Sequence, residues 1–286
     1  MDIHENARLT SHGRALLVRR ILAFGETPKA VATAFRVSTK TARKWGARFQ
    51  DEGPAVALCA HGTRGAAGTV QDHARDLAQR HGHDLGEVGV CALYGAPRLE
   101  GWLDGLSGGS VRLVPFMMAE GYTFDRLRER VAAHANGRHV EITRPVGVHP
   151  DLGGLIAHSA QARCVAAGWR PEQTALLLVG HGTRKHAAST QTAEAHVAGL
   201  AEAGAFAEVA TAYLDDDPSV GDALARLRAP ACIAVGFFTD AGDHGRADVP
   251  ELLADSPMPT VYAGPIGPDP VLQRIILDQF QAGAPD

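Results

Sequence analysis

TALLLVGHGTR, residues 174–184, decides how the chain is read. Thr174–Gly180 is an apolar run without polar alternation, and a glycine ends it. Such a run is the pattern of a strand buried on both faces, as in a parallel sheet. His181 follows at once, then Gly182, Thr183 and Arg184. In open parallel sheets, ligands bind in the crevice beyond the carboxyl ends of the strands. The HGTR stretch falls at such an end, and Gly182 permits close backbone approach there.

Downstream, strands and helices alternate. Ala187–Ala203 has helical spacing, Phe206–Leu214 reads as a second strand, and Pro218–Leu227 as a short helix with proline in its first turn. Ala231–Phe238 is the third strand and Val249–Ala254 is helical. Thr260–Ala263 is a short fourth strand, and Pro268–Phe280 is a closing helix. This alternation implies a parallel sheet with helices on both faces.

Upstream, the same signals occur again. PAVALCAHGTR (54–64) matches 174–184 at an offset of 120, as PVGVHP (145–150) matches PIGPDP (265–270). Between them, VPFMMAEG (114–121) matches VGFFTDAG (235–242) at 121. Three matches in one order at nearly one offset indicate a tandem duplication. The expected organisation is a segment 1–53, a first repeat over 54–160 and a second over 174–283.

The segment 1–53 carries ten Lys or Arg against five Asp or Glu, within a chain of net charge −4. A local basic excess is an electrostatic footprint of nucleic-acid contact. Leu16–Ala23 reads as a helix. Thr27–Phe35, a turn at 36–38 and Thr39–Phe49 read as a helix-turn-helix, with Ser38 or Thr39 as cap. Val31, Ala34, Val37, Ala42 and Trp45 would form its core. Lys40, Arg43, Lys44 and Arg48 would face DNA. A small helical bundle packed on the first repeat is the competing reading.

Composition sets outer limits. The chain has 286 residues, 45% hydrophobic and 21% charged, which is ordinary for a globular protein. No apolar run is long enough to span a bilayer and no secretory h-region is evident, so the expected compartment is the cytoplasm. Cys59, Cys91, Cys164 and Cys232 lack C-x-x-C spacing, which argues against a zinc ribbon or redox pair. P-loop, dinucleotide and nucleophile-elbow patterns are missing, so no nucleotide cofactor is expected.

Three strand ends of the second repeat carry chemistry-bearing side chains. His181 follows the first strand and His244 lies after the third, in TDAGDHGRAD. Two neutral imidazoles at neighbouring strand ends suit a divalent transition metal. Asp215, at the end of the second strand, could bind metal or take a proton, or could simply belong to a helix-capping acidic loop with Asp216 and Asp217. The first repeat keeps His61. It has Thr123 where His244 stands, and Tyr94 or Gly95 where Asp215 stands. Arg184, Arg64, Lys185 and Arg246 suit an anionic substrate or are plain surface charge.

The ordered set resembles the CbiX-type sirohydrochlorin chelatases: HGTR 181–184, Asp215, Gly242-Asp243-His244 and PIGPDP 265–270, over about residues 54–282. The resemblance implies an α/β fold of two tandem chelatase-like domains, flavodoxin-like or Rossmann-like, with parallel sheets. It implies insertion of Co²⁺ or Fe²⁺ into sirohydrochlorin, a tetrapyrrole ringed with carboxylates, without ATP. The divalent metal is then a substrate. Carried over, His181 and His244 are catalytic, and His181, His244 and Asp215 meet the metal. Arg184, Arg64, His61 and Tyr122 hold the macrocycle, with Met118 nearby. The family's acid is more often Glu, so Asp215 is one methylene short. The first repeat then serves as lid or scaffold.

Residues 1–53 resemble instead the N-terminal helix-turn-helix of insertion-sequence transposases, and no transposase core follows. Two functions are therefore expected to compete. One is a metal chelatase. The other is a DNA-binding regulator whose chelatase-like part senses a tetrapyrrole or metal without turnover. Only the first requires a base in the crevice.

Overall fold

The computed structural model describes residues 17, 20–21, 26–44, 55–62, 66–85, 88–106, 110–183, 187–240, 242 and 244–281, without the side chains of 66–67, 82–85 and 244. Two four-stranded parallel sheets follow one another along the chain. The first contains β1 (Ala55–Ala60), β2 (Val88–Ala92), β3 (Ser110–Phe116) and β4 (His139–Ile142), in the order β2-β1-β3-β4. The second contains β5 (Thr174–Gly180), β6 (Glu208–Tyr213), β7 (Ala231–Gly236) and β8 (Thr260–Pro265), in the order β6-β5-β7-β8. The order is the same in both, as a duplication requires. The central strands β5 and β7 are buried along their whole length, which explains why 174–180 carries no polar alternation.

Nine helices are used below: α1 (Pro28–Ala34), α2 (Ala66–Leu85), α3 (Leu99–Gly105), α4 (Tyr122–His134), α5 (Leu152–Ala166), α6 (Ala188–Ala203), α7 (Val220–Arg226), α8 (Val249–Ala254) and α9 (Leu272–Gln281). Several expected boundaries move by one to four residues, and three of the shifts have a visible cause. Phe206 turns into the core, so β6 starts at Glu208. Ser219 accepts a hydrogen bond from the Asp222 amide, so α7 starts after Pro218. Asp269 forms a turn with Leu272, so the closing helix begins there.

The two sheets share one core. Val56, Leu58, Val114 and Phe116 from the first sheet join Leu176, Leu178, Ile233, Val235 and Phe237 from the second. Ile156, Ala160 and Cys164 of α5 and Ile275, Ile276 and Phe280 of α9 fill the space between them. The closing helices are exchanged: α5 packs on β7, β8 and α6 of the second repeat, while α9 packs on β3 and α2 of the first. Arg112 on β3 is paired with Glu141 at 2.9 Å and also donates to the Phe280 carbonyl, fixing the end of α9 to the first sheet. The outer faces have separate cores, built with α3 and α4 on one side and α7 and α8 on the other.

All four cysteines are buried free thiols. The N-terminal residues have their own small core of Leu17, Val31, Ala32 and Ala42, with Ile21, Phe35 and Val37 against it. Ala34 is exposed, contrary to expectation. The buried stripe of α1 centres on residues 31, 32 and 35, and the helical period turns Ala34 away from it. Trp45 lies outside the described residues. Residues 39–44 are helical, and the Ser38 hydroxyl accepts from the Thr41 amide at 3.0 Å, so Ser38 is the cap.

Candidate active site at the strand ends of the second repeat

His181 leaves the end of β5 with its carbonyl turned toward the next strand end. The Asp215 amide donates to that carbonyl at 2.9 Å, and the Leu214 amide at 3.1 Å. This backbone latch puts the Asp215 side chain beside the imidazole. His181 Nδ1 lies 3.2 Å from Asp215 Oδ2 and 3.0 Å from the Gly182 carbonyl. Both neighbours can only accept, so Nδ1 carries the proton and Nε2 is the basic nitrogen. Both side chains are about half exposed, at 48% and 63%, so the pair orients the ring more than it stabilises the fold. Asp216 has a different role, because its Oδ1 accepts from the Asp217 amide at 2.9 Å within the loop.

Gly182 makes the approach possible. Its φ is +71°, and an added Cβ would stand 2.7 Å from Asp216 Cβ and 2.8 Å from Tyr213 Cβ. A side chain here would both strain the backbone and push the acidic loop away.

The first repeat uses the same latch with different chemistry. The Tyr94 amide donates to the His61 carbonyl at 3.0 Å. Tyr94, not Gly95, is therefore the structural counterpart of Asp215. Its ring packs on the His61 imidazole, with centroids 5.1 Å apart. Burial pushes the His61 pKa down, so this ring is neutral near pH 7.

The remaining expected residues divide in two. His244 opens a π-helical turn, His244–Asp248, after β7; its side chain is not among those described. Arg64 and Arg184 lie outside the described residues, as do Lys185 and Arg48. Tyr122 begins α4 and is exposed, with Arg126 Cζ 5.9 Å from its ring centre. Lys40, Arg43, Lys44 and Arg246 are exposed. Among the described residues, no group of three His, Cys, Asp or Glu side chains is gathered as metal ligands. His181 and Asp215 form a pair.

The carboxyl ends of the two sheets are neighbours. An added Cβ at Gly121, just before Tyr122, would lie 3.8 Å from the Ala188 methyl, at the start of the helix that follows the 181–184 loop. Thr69, on the helix that follows His61, donates to Asp240 in the loop after β7 at 3.0 Å.

Two histidines not singled out in the sequence hold this arrangement. His73 of α2 donates from Nε2 to the Gly267 carbonyl at 2.8 Å, and His196 of α6 donates to the Gly147 carbonyl at 2.7 Å. Each imidazole comes from one repeat and each carbonyl from the closing motif of the other. Each ring also packs on a phenylalanine of its own repeat, His73 on Phe116 at 5.4 Å and His196 on Phe237 at 5.7 Å. Gly147 and Gly267 are required for close approach. An added Cβ would meet the Met118 or Thr239 backbone at 2.1 Å. This explains the repeated PVG and PIG sequences in packing terms.

Two doubly wound parallel-sheet domains, their closing helices exchanged, with an imidazole–carboxylate pair at one strand end, define the class: a chelatase-type α/β protein. Residues 55–162 and 175–282 both match the CbiX family, and the chain belongs to that family. Chelatases are classed as lyases, so it is an enzyme of that kind. Residues 1–68 match the leucine-zipper of insertion element IS481. A probable sirohydrochlorin cobaltochelatase of Halobacterium salinarum is 23% identical over 272 residues, covering 81% of this chain and 92% of that protein. Among solved structures, DR2241 from Deinococcus radiodurans, a multi-domain protein described as similar to chelatases, superposes with TM-score 0.68 at 25% identity. It covers 82% of this chain, which spans only 56% of that protein. CbiX, described as the terminal enzyme of siroheme biosynthesis in denitrifying bacteria, superposes with TM-score 0.64 at 23% identity, covering 80% and 99% of the two chains. SirB from Bacillus subtilis subspecies spizizenii, solved with cobalt, gives 0.60 at 14% identity, covering 81% and 95%. No helix among the described residues is long and apolar enough to cross a membrane.

Proposed function

We propose that the chain inserts a divalent metal ion, Co²⁺ or Fe²⁺, into a sirohydrochlorin-type tetrapyrrole without ATP, in cobalamin or siroheme synthesis. The observation that carries this reading is the His181–Asp215 pair at the mouth of β5 and β6. Insertion exchanges two pyrrole N–H protons for one dication, so the site must supply a metal ligand and a base. With Nδ1 protonated, His181 Nε2 can accept one pyrrole proton, and the Asp215 carboxylate stabilises the resulting imidazolium. His244 is assigned as the second imidazole toward the metal. Solvent at the half-exposed pair takes the protons away. Arg64, Arg184, His61 and Tyr122 are assigned to the carboxylates and face of the macrocycle. An imidazole–carboxylate set accepts several first-row ions, so both metals belong to the proposal.

The test mixes purified protein, sirohydrochlorin and Co²⁺ or Fe²⁺ and follows the absorption spectrum. Acceleration over the protein-free rate is expected. Equal rates with and without protein would end the chelatase reading.

One observation favours the second reading, a DNA-binding regulator. Lys40, Arg43 and Lys44 are exposed on residues 39–44, in a segment whose core is separate from those of the repeats among the described residues. DNA contact through this face weakens steeply with salt. A gel-shift titration at two salt concentrations tests it, and binding insensitive to Lys40→Ala and Lys44→Ala would reject it.

A further inference from the structure

Four large hydrophobic side chains are exposed among the described residues, and two of them, Tyr94 at 52% and Tyr122 at 53%, stand at one place, the carboxyl end of the first sheet. The other two, Val165 and Leu252, lie apart from this end, on α5 and α8. Exposed aromatic rings are costly in water and mark contact surfaces when they cluster.

Arg126 interacts with both rings. It lies one turn beyond Tyr122 on α4, the spacing that brings side chains into contact, and its Cζ stands 5.9 Å from the Tyr122 ring centre. Contacts with Tyr94, Tyr122 and Glu129 hold its pKa above the ordinary value. The Tyr94 ring continues onto His61. The result is a run His61, Tyr94, Arg126, Tyr122 along the mouth of the repeat that lacks the His181–Asp215 chemistry. Through Gly121 this mouth abuts Ala188, beside the loop that carries His181.

We propose that Tyr94, Tyr122 and Arg126 form the platform on which the macrocycle lies, with its face on the rings and a peripheral carboxylate on the guanidinium. This deepens the chelatase reading and rests on it. The chemistry fits a flat conjugated ring with an anionic rim: aromatic faces take the π-surface, and arginine takes carboxylate through paired N–H donors. Glu129 holds Nη1 at 2.7 Å in an exposed pair. Such pairs are weak, so a substrate carboxylate can displace it. At the latch position, an acid in one repeat has become an aromatic ring in the other. The first repeat is thereby a positioning surface rather than an empty copy.

The test compares wild type with Tyr94→Ala, Tyr122→Ala and Arg126→Ala in two measurements. The first is steady-state insertion into sirohydrochlorin. The second, independent of turnover, is fluorescence titration with metal-free uroporphyrin I, a planar carboxylate-rimmed probe. Each alanine variant is expected to raise KM about fivefold to tenfold with kcat within about threefold, and to weaken uroporphyrin binding in step. Tyr94→Phe and Tyr122→Phe keep the rings and are expected to restore both, which separates stacking from a folding defect. His181→Ala is expected to lose turnover and keep uroporphyrin affinity. If wild type inserts metal but the Tyr94→Ala/Tyr122→Ala double variant keeps its KM and uroporphyrin affinity, the platform is wrong and the chelatase reading stands. If wild type does not accelerate insertion, both are wrong.

Discussion

His181 Nδ1 faces Asp215 Oδ2 across 3.2 Å, and the Asp215 amide is bonded to the His181 carbonyl at 2.9 Å. One residue thus fixes both the position and the tautomer of the other. Replacing Asp215 with Asn keeps an acceptor beside Nδ1 but removes the charge that stabilises the imidazolium. Asp215→Asn is expected to lower kcat for insertion about 10–100-fold, with KM for sirohydrochlorin little changed. Stopped-flow absorption reads this, and an unchanged kcat would remove Asp215 from the mechanism.

Gly182 stands under the same pair at φ +71°. Gly182→Ala must strain the backbone and displace the Asp216 loop. It is expected to cost about 1–3 kcal/mol of stability and to lower activity beyond that loss. Urea unfolding and rates measured on the same preparation separate the two. A variant as stable and active as wild type would mean the loop adapts.

His196 makes the interface between repeats sensitive to pH. Burial pushes the His196 pKa below its ordinary value; the Gly147 hydrogen bond opposes this, and nearby His149 lowers it further. A depressed folded pKa means the unfolded chain takes up the proton first. The stability this ring contributes is therefore present above about pH 6.5 and is lost as pH falls through the lower folded value. Thermal melts from pH 7.5 to 5.5 should show a falling midpoint in wild type and a shallower fall in His196→Gln, whose amide does not titrate. Parallel slopes would contradict this. At neutral pH, His73→Ala or His196→Ala leaves a buried carbonyl unpaired and should cost about 1–3 kcal/mol.

Helix exchange bears on the separated halves. A fragment 168–286 lacks α5, which covers β7 and β8. Its own α9 can serve a second copy in the equivalent place, so a two-fold dimer is expected. Adding fragment 54–167 should convert it to a 1:1 complex, as read by sedimentation velocity. A soluble, folded monomer of 168–286 would contradict the exchange.

The duplication was legible because both repeats keep the strand–HGTR pattern and the closing glycine motif at one offset. The meeting of strand ends followed from parallel topology, which puts residues 181 and 215 at the same edge. Periodicity does not say which sheet a helix covers, so the exchange of α5 and α9 was not legible. His73 and His196 escaped notice because they differ by 123 positions, so neither the 120 nor the 121 offset pairs them. The choice between Tyr94 and Gly95 needed the backbone bond to His61. Tyr94 and Arg126 were not paired beforehand, because their proximity depends on how α4 leaves β3.

The proposed mechanism is asymmetric: the second repeat carries the chemistry and the first carries position. Initial rates of Co²⁺ insertion into sirohydrochlorin by His181→Ala and His61→Ala test it most directly. His181→Ala is expected to lose about 100-fold or more in kcat, within the range for removing a general base, and His61→Ala is expected to show an increase confined to KM. Equal kcat losses in the two variants, or a larger one in His61→Ala, would contradict it.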